Sequence, residues 1–600
     1  MRRRAARCLT IMAALFIGAC ARPQRTGPEA RAVHPPSPIP LPSGSGQWVD
    51  SVLGSLSLRE KAAQMVWPTV LADYVPASSA QWQRLRDEIG RERVGGYTIS
   101  VGSPLEVAAK LNAMQAMAAV PLIVGADLEF GAGYRARGGY FVPNAIDLGG
   151  ATVFPPEMAV GATRDTALAY EQGRVTAIEG RALGIHVAYA PILDVNNNPG
   201  NPVINTRSYG EDPRLAARMG ASFVRGLQEH GMVATGKHFP GHGDTEVNSH
   251  LALPSVGASR ERLDSVELVP FRAAVGAGLG AVMSFHGAMP ALDPSGAPGT
   301  LSPRVLTGLL REQLGFRGVI ISDAMDMRGV LDRYGPVRAA RLAVAAGADV
   351  LIQPLSVTET IDAVVAGVRE GDYPESRLDA SVRRILEAKY ALGLHRRRFV
   401  SLDSARAVVG DSANGDVARR VAERSITLVK DSLRRLPLGR LAAGARVLSV
   451  TVARRTDLPA GVAFDAELRT RFGALRSEFV NADDAGSSFQ RLLLAADSAD
   501  VVLVSSYMGH AWNATSASAP RAFVDFVRQL AQRGARPVVV AFGNPYLLQQ
   551  IPEAPAYVVA WGGFPVSQQA AAKALLGTIP FAGRLPITIP GYAAYGAGEK

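Results

Sequence analysis

From residue 48 to about residue 394, short apolar runs rich in β-branched residues alternate with longer stretches of helical apolar spacing. The short runs lie near 64–70, 95–99, 121–127, 187–194, 233–238, 281–286, 318–323 and 348–353. They predict strands, and the intervening stretches predict crossover helices of a parallel sheet. Eight such units in roughly 350 residues match a TIM (β/α)8 barrel with insertions. Polar residues gather where the strands should end: Asp127 with Glu129, Asp194 with Asn196, Lys237 with His238, then His286, Ser322 and Asp323. In a barrel these ends share one face, the face that carries catalysis.

A linker at 395–412 begins with the basic run His395-Arg396-Arg397-Arg398. Beyond it, residues 413–600 predict a helix at 414–430 and strands near 446–452, 500–506, 537–542 and 556–561, with helices between them. That is a second α/β layered domain, a sandwich of helices on a sheet. Gly562-Gly563 follows a predicted strand, but neither a phosphate loop nor a nucleophile elbow surrounds it.

The first twenty residues have the layout of a targeting segment. Arg2, Arg3, Arg4 and Arg7 precede an apolar stretch from Leu9 to Ile17. The segment closes on Gly18-Ala19-Cys20, which resembles a bacterial lipoprotein signal and makes Cys20 the lipidated residue. The alternative is an ordinary cleaved signal peptide. The chain has only two cysteines, Cys8 and Cys20, so a chain cut before Cys20 could form no internal disulfide. Residues 21–47 hold seven prolines and end in a Ser/Gly run, which predicts an extended tether. The expected location is therefore the bacterial cell envelope, with membrane contact through the lipid alone. Of the net charge of +11, four units belong to the leader arginines, leaving +7. Without a Lys/Arg block in the remainder, that excess is no nucleic-acid footprint.

The most informative stretch is 233–250. A β-prone run delivers Lys237 and His238. Pro240, Gly241 and Gly243 then break regular structure, and the loop carries His242, Asp244, Glu246 and His250. His238 and His242 have the spacing of a helical zinc pair. Pro240 and Gly241 between them disfavour that helix, so no metal is expected. An acid/base and sugar-binding loop fits better.

Three segments together resemble glycoside hydrolase family 3, in its β-N-acetylglucosaminidase branch. They are Ala190-Pro191-Ile192-Leu193-Asp194-Val195-Asn196 with Asn205-Thr206-Arg207-Ser208-Tyr209-Gly210-Glu211-Asp212-Pro213; Lys237-His238-Phe239-Pro240-Gly241-His242-Gly243-Asp244-Thr245; and Ile321-Ser322-Asp323-Ala324-Met325-Asp326-Met327. Gly583-Arg584-Leu585-Pro586 also looks like two-domain members of the family. The resemblance implies a retaining β-N-acetylhexosaminidase that needs no cofactor and acts on cell-wall or chitin-type glycans. It assigns the nucleophile to Asp323 and the acid/base to His250. The family's usual Asp-Ser-His element reads Asn248-Ser249-His250 here, so the carboxylate that supports the imidazole is replaced by Asn248. Sugar contacts carry over to Asp127, Arg135, Arg207, Lys237 and His238. Phe130 and Ala132 depart from the family pattern beside Arg135.

Other readings of the same residues remain. Arg207 could pair structurally with Glu211 or Asp212, and Asp323 with a barrel arginine. In the β-glucosidase and xylosidase branch a Trp commonly follows the nucleophile, and a second-domain Glu is the acid/base. Ala324 and the His250 loop speak against that branch. A neutral histidine would also tolerate phosphate in place of water. Asn248 leaves open a glycan-binding envelope protein with weakened catalysis.

Overall fold

The computed structural model describes residues 45–138, 140–141, 146–147, 149–482, 486–509 and 518–599. All lie in one compact unit, Pro36–Lys600. The predicted leader, Cys20 and residues 21–44 of the predicted tether lie outside the described residues. The last three tether positions, 45–47, already belong to the helix Ser45–Ser55. Its Val49 and Leu53 are buried in the barrel core, and this packing outweighs the local Ser/Gly composition.

Eight parallel strands form the first domain. In order they are a split first strand (Val66–Trp67 and Thr69–Val70), then Gly96–Ile99, Ile123–Ala126, Val187–Ala188, Val233–Phe239, Ala281–Ser284, Val319–Ile321 and Leu351–Ile352. Pro68 interrupts the first strand because it has no N–H to give the ladder. The first half pairs with the eighth strand, Val66 opposite Leu351, and the second half with the second strand, Thr69 opposite Thr98. A bridge from Ile321 to Val350 joins the seventh strand to the eighth, so the ring closes. Both faces of these strands are covered, and their near-continuous apolar runs follow from that burial.

At the start of the eighth strand, fully buried Asp349 accepts from Arg384 Nη1 at 3.0 Å, Ser381 Oγ at 2.6 Å and Arg311. This carboxylate is a structural node on the face opposite the strand ends.

The 395–412 linker is not structureless, since it holds the helix Leu402–Val408. The predicted helix 414–430 ends at Ser425, and Thr427–Asp431 is a strand. The β-branched run there pairs antiparallel with Ala556–Val559 at a sheet edge. Next come Val538–Ala541, Val501–Ser506, Val447–Ala453 and, at the far edge, Arg476–Asn481, all parallel. That last strand escapes the hydrophobic pattern because Arg476, Ser477 and Phe479 face solvent. Alternate residues of the central strands enter two separate apolar layers, one holding Leu448, Val450 and Val504 and the other Val447, Leu503 and Val540. This two-sided covering is the α/β sandwich that the second half of the sequence predicts.

Candidate active site

The strand ends of the barrel enclose a cavity of about 690 Å3. Asp127, Arg135, Arg207, Lys237, His238, His250 and Asp323 all line it. Asn248 stands behind the wall, bonded to His250. Among the described residues, every lining side chain comes from the barrel.

One wall is a buried charge cluster. Lys237 Nζ donates to Asp127 Oδ1 at 2.7 Å, and Arg135 Nη2 donates to Asp127 Oδ2 at 2.6 Å. Burial pushes the Asp127 carboxyl up, but Lys237 and Arg135 together pull it well below the carboxylate range. Burial likewise opposes the charge on Lys237, and Asp127 with Glu129 more than restores it. Arg207 is fixed by Glu129, with Nη2 3.0 Å from Oε1. The alternative partners of Arg207 are engaged elsewhere. Glu211 accepts the backbone N–H and hydroxyl of Thr588 in the second domain, while Asp212 caps the helix Pro213–Gln228 and accepts Tyr595. Glu129 is thus a site residue that the motif reading noticed at a strand end but gave no role. Its position two residues after Asp127 was the available signal. The cluster presents cations and carboxylates at fixed positions, which suits a ligand rich in hydroxyls.

Below it lies Asp194, fully buried. It accepts from His238 Nδ1 at 2.7 Å and from the backbone N–H of His242 at 2.6 Å. Burial drives both imidazoles down to about 3, so both stay neutral. His242 then reaches the loop of His250, with Nε2 3.0 Å from Ser249 Oγ and Nδ1 2.8 Å from Thr245 Oγ1. Gly243 permits this fold of the chain, since a Cβ there would stand 1.8 Å from the Val195 carbonyl oxygen. Both histidines of the zinc-like pair are therefore committed to protein partners.

Ser249 is the tie between the loop carrying His250 and the barrel interior. Ser249→Ala leaves a buried histidine nitrogen without its partner, a loss of about 1–3 kcal/mol. On the acid/base role that the sequence resemblance implies for His250, the expected result is a roughly tenfold lower kcat on glycosides with poor leaving groups, with KM nearly unchanged. Steady-state rates on good and poor leaving groups check it. An equal loss on both would mean general destabilisation instead of a misplaced His250.

His250 Nδ1 lies 2.9 Å from Asn248 Oδ1, which also accepts the His250 backbone N–H at 3.0 Å. The oxygen can only accept, so Nδ1 carries the proton and Nε2 is the nitrogen left for proton transfer. Burial holds the imidazole below its ordinary value, with the Asp323 charge opposing that shift.

Asp323 follows the seventh strand. Among the described residues it makes no ion pair, unlike Asp349. Its backbone N–H donates to Ser284 Oγ at 3.3 Å, and its Oδ1 accepts the Ala324 N–H at 2.8 Å. Ser284 Oγ is 2.8 Å from Thr300 Oγ1, which is 2.7 Å from His286 Nδ1. His286 Nε2 completes the chain at 3.0 Å from the Ala324 carbonyl oxygen. His286 thus clamps the loop that carries Asp323. A rigidly held carboxylate without a cationic partner is suited to nucleophilic attack.

The glycosyl hydrolase family 3 N terminal domain matches residues 57–388, and the family's C-terminal domain matches residues 404–597. The chain belongs to glycosyl hydrolase family 3. It is a glycoside hydrolase with the two-domain architecture of that family, and its substrate is a carbohydrate. A Cellulomonas fimi protein named beta-N-acetylglucosaminidase/beta-glucosidase is 33% identical over 520 residues, covering 82% of this chain and 88% of its own. The solved family 3 beta-N-acetylglucosaminidase from Paenibacillus sp. str. FPU-7 matches with a TM-score of 0.79 at 33% identity, over 89% of this chain and 99% of that one. A solved beta-glucoside phosphorylase matches with a TM-score of 0.80 at 25% identity, over 92% of this chain and 98% of that one.

In this family 3 protein the second domain buttresses the site from outside. Asn196 Nδ2 donates to the Tyr546 hydroxyl at 2.9 Å, and the Glu211 N–H donates to the Pro586 carbonyl at 2.9 Å. Phe130 meets Phe564 with ring centroids 5.7 Å apart. These contacts hold the loops that present Arg207 and Arg135.

Proposed function

We propose that this family 3 enzyme is a retaining β-N-acetylhexosaminidase of the cell envelope. Asp323 attacks the anomeric carbon of a terminal N-acetyl-β-glucosaminide and forms a covalent glycosyl ester. His250, as imidazolium, gives the Nε2 proton to the departing oxygen. The neutral imidazole then takes a proton from water, which hydrolyses the ester and frees Asp323. Asp127, Arg135, Arg207, Lys237 and His238 hold the sugar hydroxyls. The export leader ending at Cys20 supports the envelope location and a lipid anchor.

The observation that carries this reading is the His250–Asn248 bond, which occupies Nδ1 and leaves Nε2 for proton transfer on a histidine that lines the same cavity as Asp323. The name of the Paenibacillus relative supports the N-acetyl preference, while that of the Cellulomonas fimi relative covers both activities. The deciding assay compares an aryl N-acetyl-β-glucosaminide with the aryl β-glucoside. The expected result is at least tenfold higher kcat/KM for the first, about 1.4 kcal/mol of transition-state discrimination. Preference for the glucoside would replace this reading with β-glucosidase.

Phosphate as the acceptor is a second reading. The His250–Asn248 pair carries no negative charge when the imidazole is neutral, and Arg135, Arg207 and Lys237 line the same cavity. Adding phosphate to the assay and looking for the sugar 1-phosphate separates the two.

A further inference from the structure

The basic run His395-Arg396-Arg397-Arg398 takes no part in the site at Asp323, yet the fold holds it firmly. The helix Glu375–Ala391 is followed by Gly393, whose φ of 76° turns the chain. The Arg396 and Arg397 N–H groups both donate to the Gly393 carbonyl, at 3.1 and 2.9 Å. His395 stacks on Tyr390 with ring centroids 4.0 Å apart, and the Trp48 ring lies 5.8 Å from the same imidazole. Asn112 clamps the far end of the segment. Its Nδ2 donates to the Val400 carbonyl at 2.8 Å, and its Oδ1 accepts the Val400 N–H at 2.9 Å. Residues 395–400 therefore form a platform pinned at both ends.

The platform is cationic and apolar together. Arg396 and Arg397 are exposed and make no ion pair among the described residues. Arg398 Nη1 donates to the Ala118 carbonyl at 2.8 Å, and its charge meets no carboxylate there. Phe399 is 53% exposed and Leu402 42%, on either side of the clamped Val400. The neighbouring acids face other arginines: Asp50 is 2.7 Å from Arg383, and Asp403 is 4.0 Å from Arg406. Clustered arginines beside an exposed Phe and Leu suit a surface that is anionic outside and apolar just beneath, the headgroup zone of a bilayer.

Ala118 precedes the third strand, and Arg181 belongs to the helix that leads into the fourth. Arg181 Nη2 donates to the Leu392 carbonyl at 3.2 Å, just ahead of the platform. The platform therefore lies on the strand-start face of the barrel, opposite the face that carries Asp323. Trp48 belongs to Ser45–Ser55, so the first described helix passes beside it. About 25 residues separate Cys20 from Ser45, a span of up to roughly 80 Å. A tether of that length limits distance but sets no orientation.

We propose that residues 395–402 dock on an anionic phospholipid surface. Arg396, Arg397 and Arg398 meet the headgroup phosphates, and Phe399 and Leu402 enter the boundary below them. The contact seats the barrel on its strand-start face and opens the Asp323 cavity away from the membrane. The proposal rests on the envelope reading and adds a contact of the folded body to the lipid at Cys20, which the sequence predicts as the sole membrane contact.

The test uses the chain from Pro36 onward, the compact unit, which lacks Cys20 and can bind only through the body. Its cosedimentation is measured with vesicles of phosphatidylglycerol in phosphatidylcholine and with vesicles of phosphatidylcholine alone. The expected result is binding to the anionic vesicles, at least about tenfold weaker on the neutral ones or at high salt. Arg396→Glu/Arg397→Glu should weaken the anionic binding by about tenfold or more, and Phe399→Ser by about fivefold. The control Arg440→Glu/Arg536→Glu makes the same charge change on exposed residues of the second domain and should stay within about twofold. None of these residues lines the cavity at Asp323, so melting temperature and aryl glycoside turnover should match the parent in every variant. If the double platform variant melts early, Arg397→Ala takes its place, since Arg397 joins the turn only through its backbone N–H. No binding of the parent to anionic vesicles, or equal loss in platform and control variants, overturns the docking surface. The envelope reading is tested separately by fractionating host cells that make the full chain. A full chain found in the cytoplasm would end that reading and leave the vesicle result as it stands.

Discussion

Asp323→Asn is expected to reduce turnover on the order of 10^4-fold while leaving the protein folded. The attacking oxygen loses its charge, so the covalent ester cannot form by the same route. The local structure should survive, because the asparagine Oδ1 can still accept the Ala324 N–H and the backbone N–H still meets Ser284. Among the described residues no barrel arginine loses a partner, which separates this position from Asp349, where the part-buried Arg311 and Arg384 depend on the carboxylate. Initial rates on an aryl N-acetyl-β-glucosaminide, taken with a thermal melt, check both halves. An unchanged melting temperature with near-complete loss of rate is the expected pair. Retention of more than about a tenth of the rate would remove Asp323 from the nucleophile role.

Asn248→Asp is expected to raise activity and move the alkaline limb of the pH–rate profile upward. In the present chain, burial holds the His250 imidazole low, and asparagine supplies a hydrogen bond without a charge. The proton donor is the imidazolium, which exists below the histidine pKa and is lost as pH rises through it. Aspartate would keep the acceptor geometry, favour the imidazolium and so raise that pKa. Above the pKa, each unit of upward shift gives about tenfold more of the acid form. The companion variant His250→Ala should slow glycosides with poor leaving groups by roughly 10^2–10^4-fold, yet barely affect activated aryl glycosides in the glycosylation step. Good leaving groups need little protonation. The measurement is kcat/KM against pH for both substrate types. If His250→Ala slows both equally and Asn248→Asp shifts nothing, the proton donor lies elsewhere.

His242 and Ser249 bear on the same loop from the other side. Their hydrogen bond ties the residue next to His250 to a histidine that Asp194 anchors through its backbone. Charge support at 248 and position at 249 are therefore separable by mutation, the first through pH dependence and the second through kcat.

The sequence by itself determined the two-domain α/β plan, the eight strand positions and seven of the residues that line the cavity. These follow from local signals: apolar runs long enough to mark buried parallel strands, and polar residues immediately after them. The Lys237-His238 and Asp323 segments were legible because barrel geometry sends every strand end to one face. Where competing local signals pointed the wrong way, the reading missed. The strand Thr427–Asp431 continues directly from a helix and carries no break signal of its own, and the edge strand Arg476–Asn481 shows no apolar alternation, since Phe479 faces solvent beside Arg476 and Ser477. Only the tertiary structure decided pairings between residues distant in the chain. It gave Arg207 to Glu129, sent Glu211 to Thr588, tied Ser249 to His242, and brought Gln353 beside Asp326. Such contacts depend on how strands far apart in sequence are brought side by side in a closed ring, and periodicity along one strand carries no record of its neighbour's side chains.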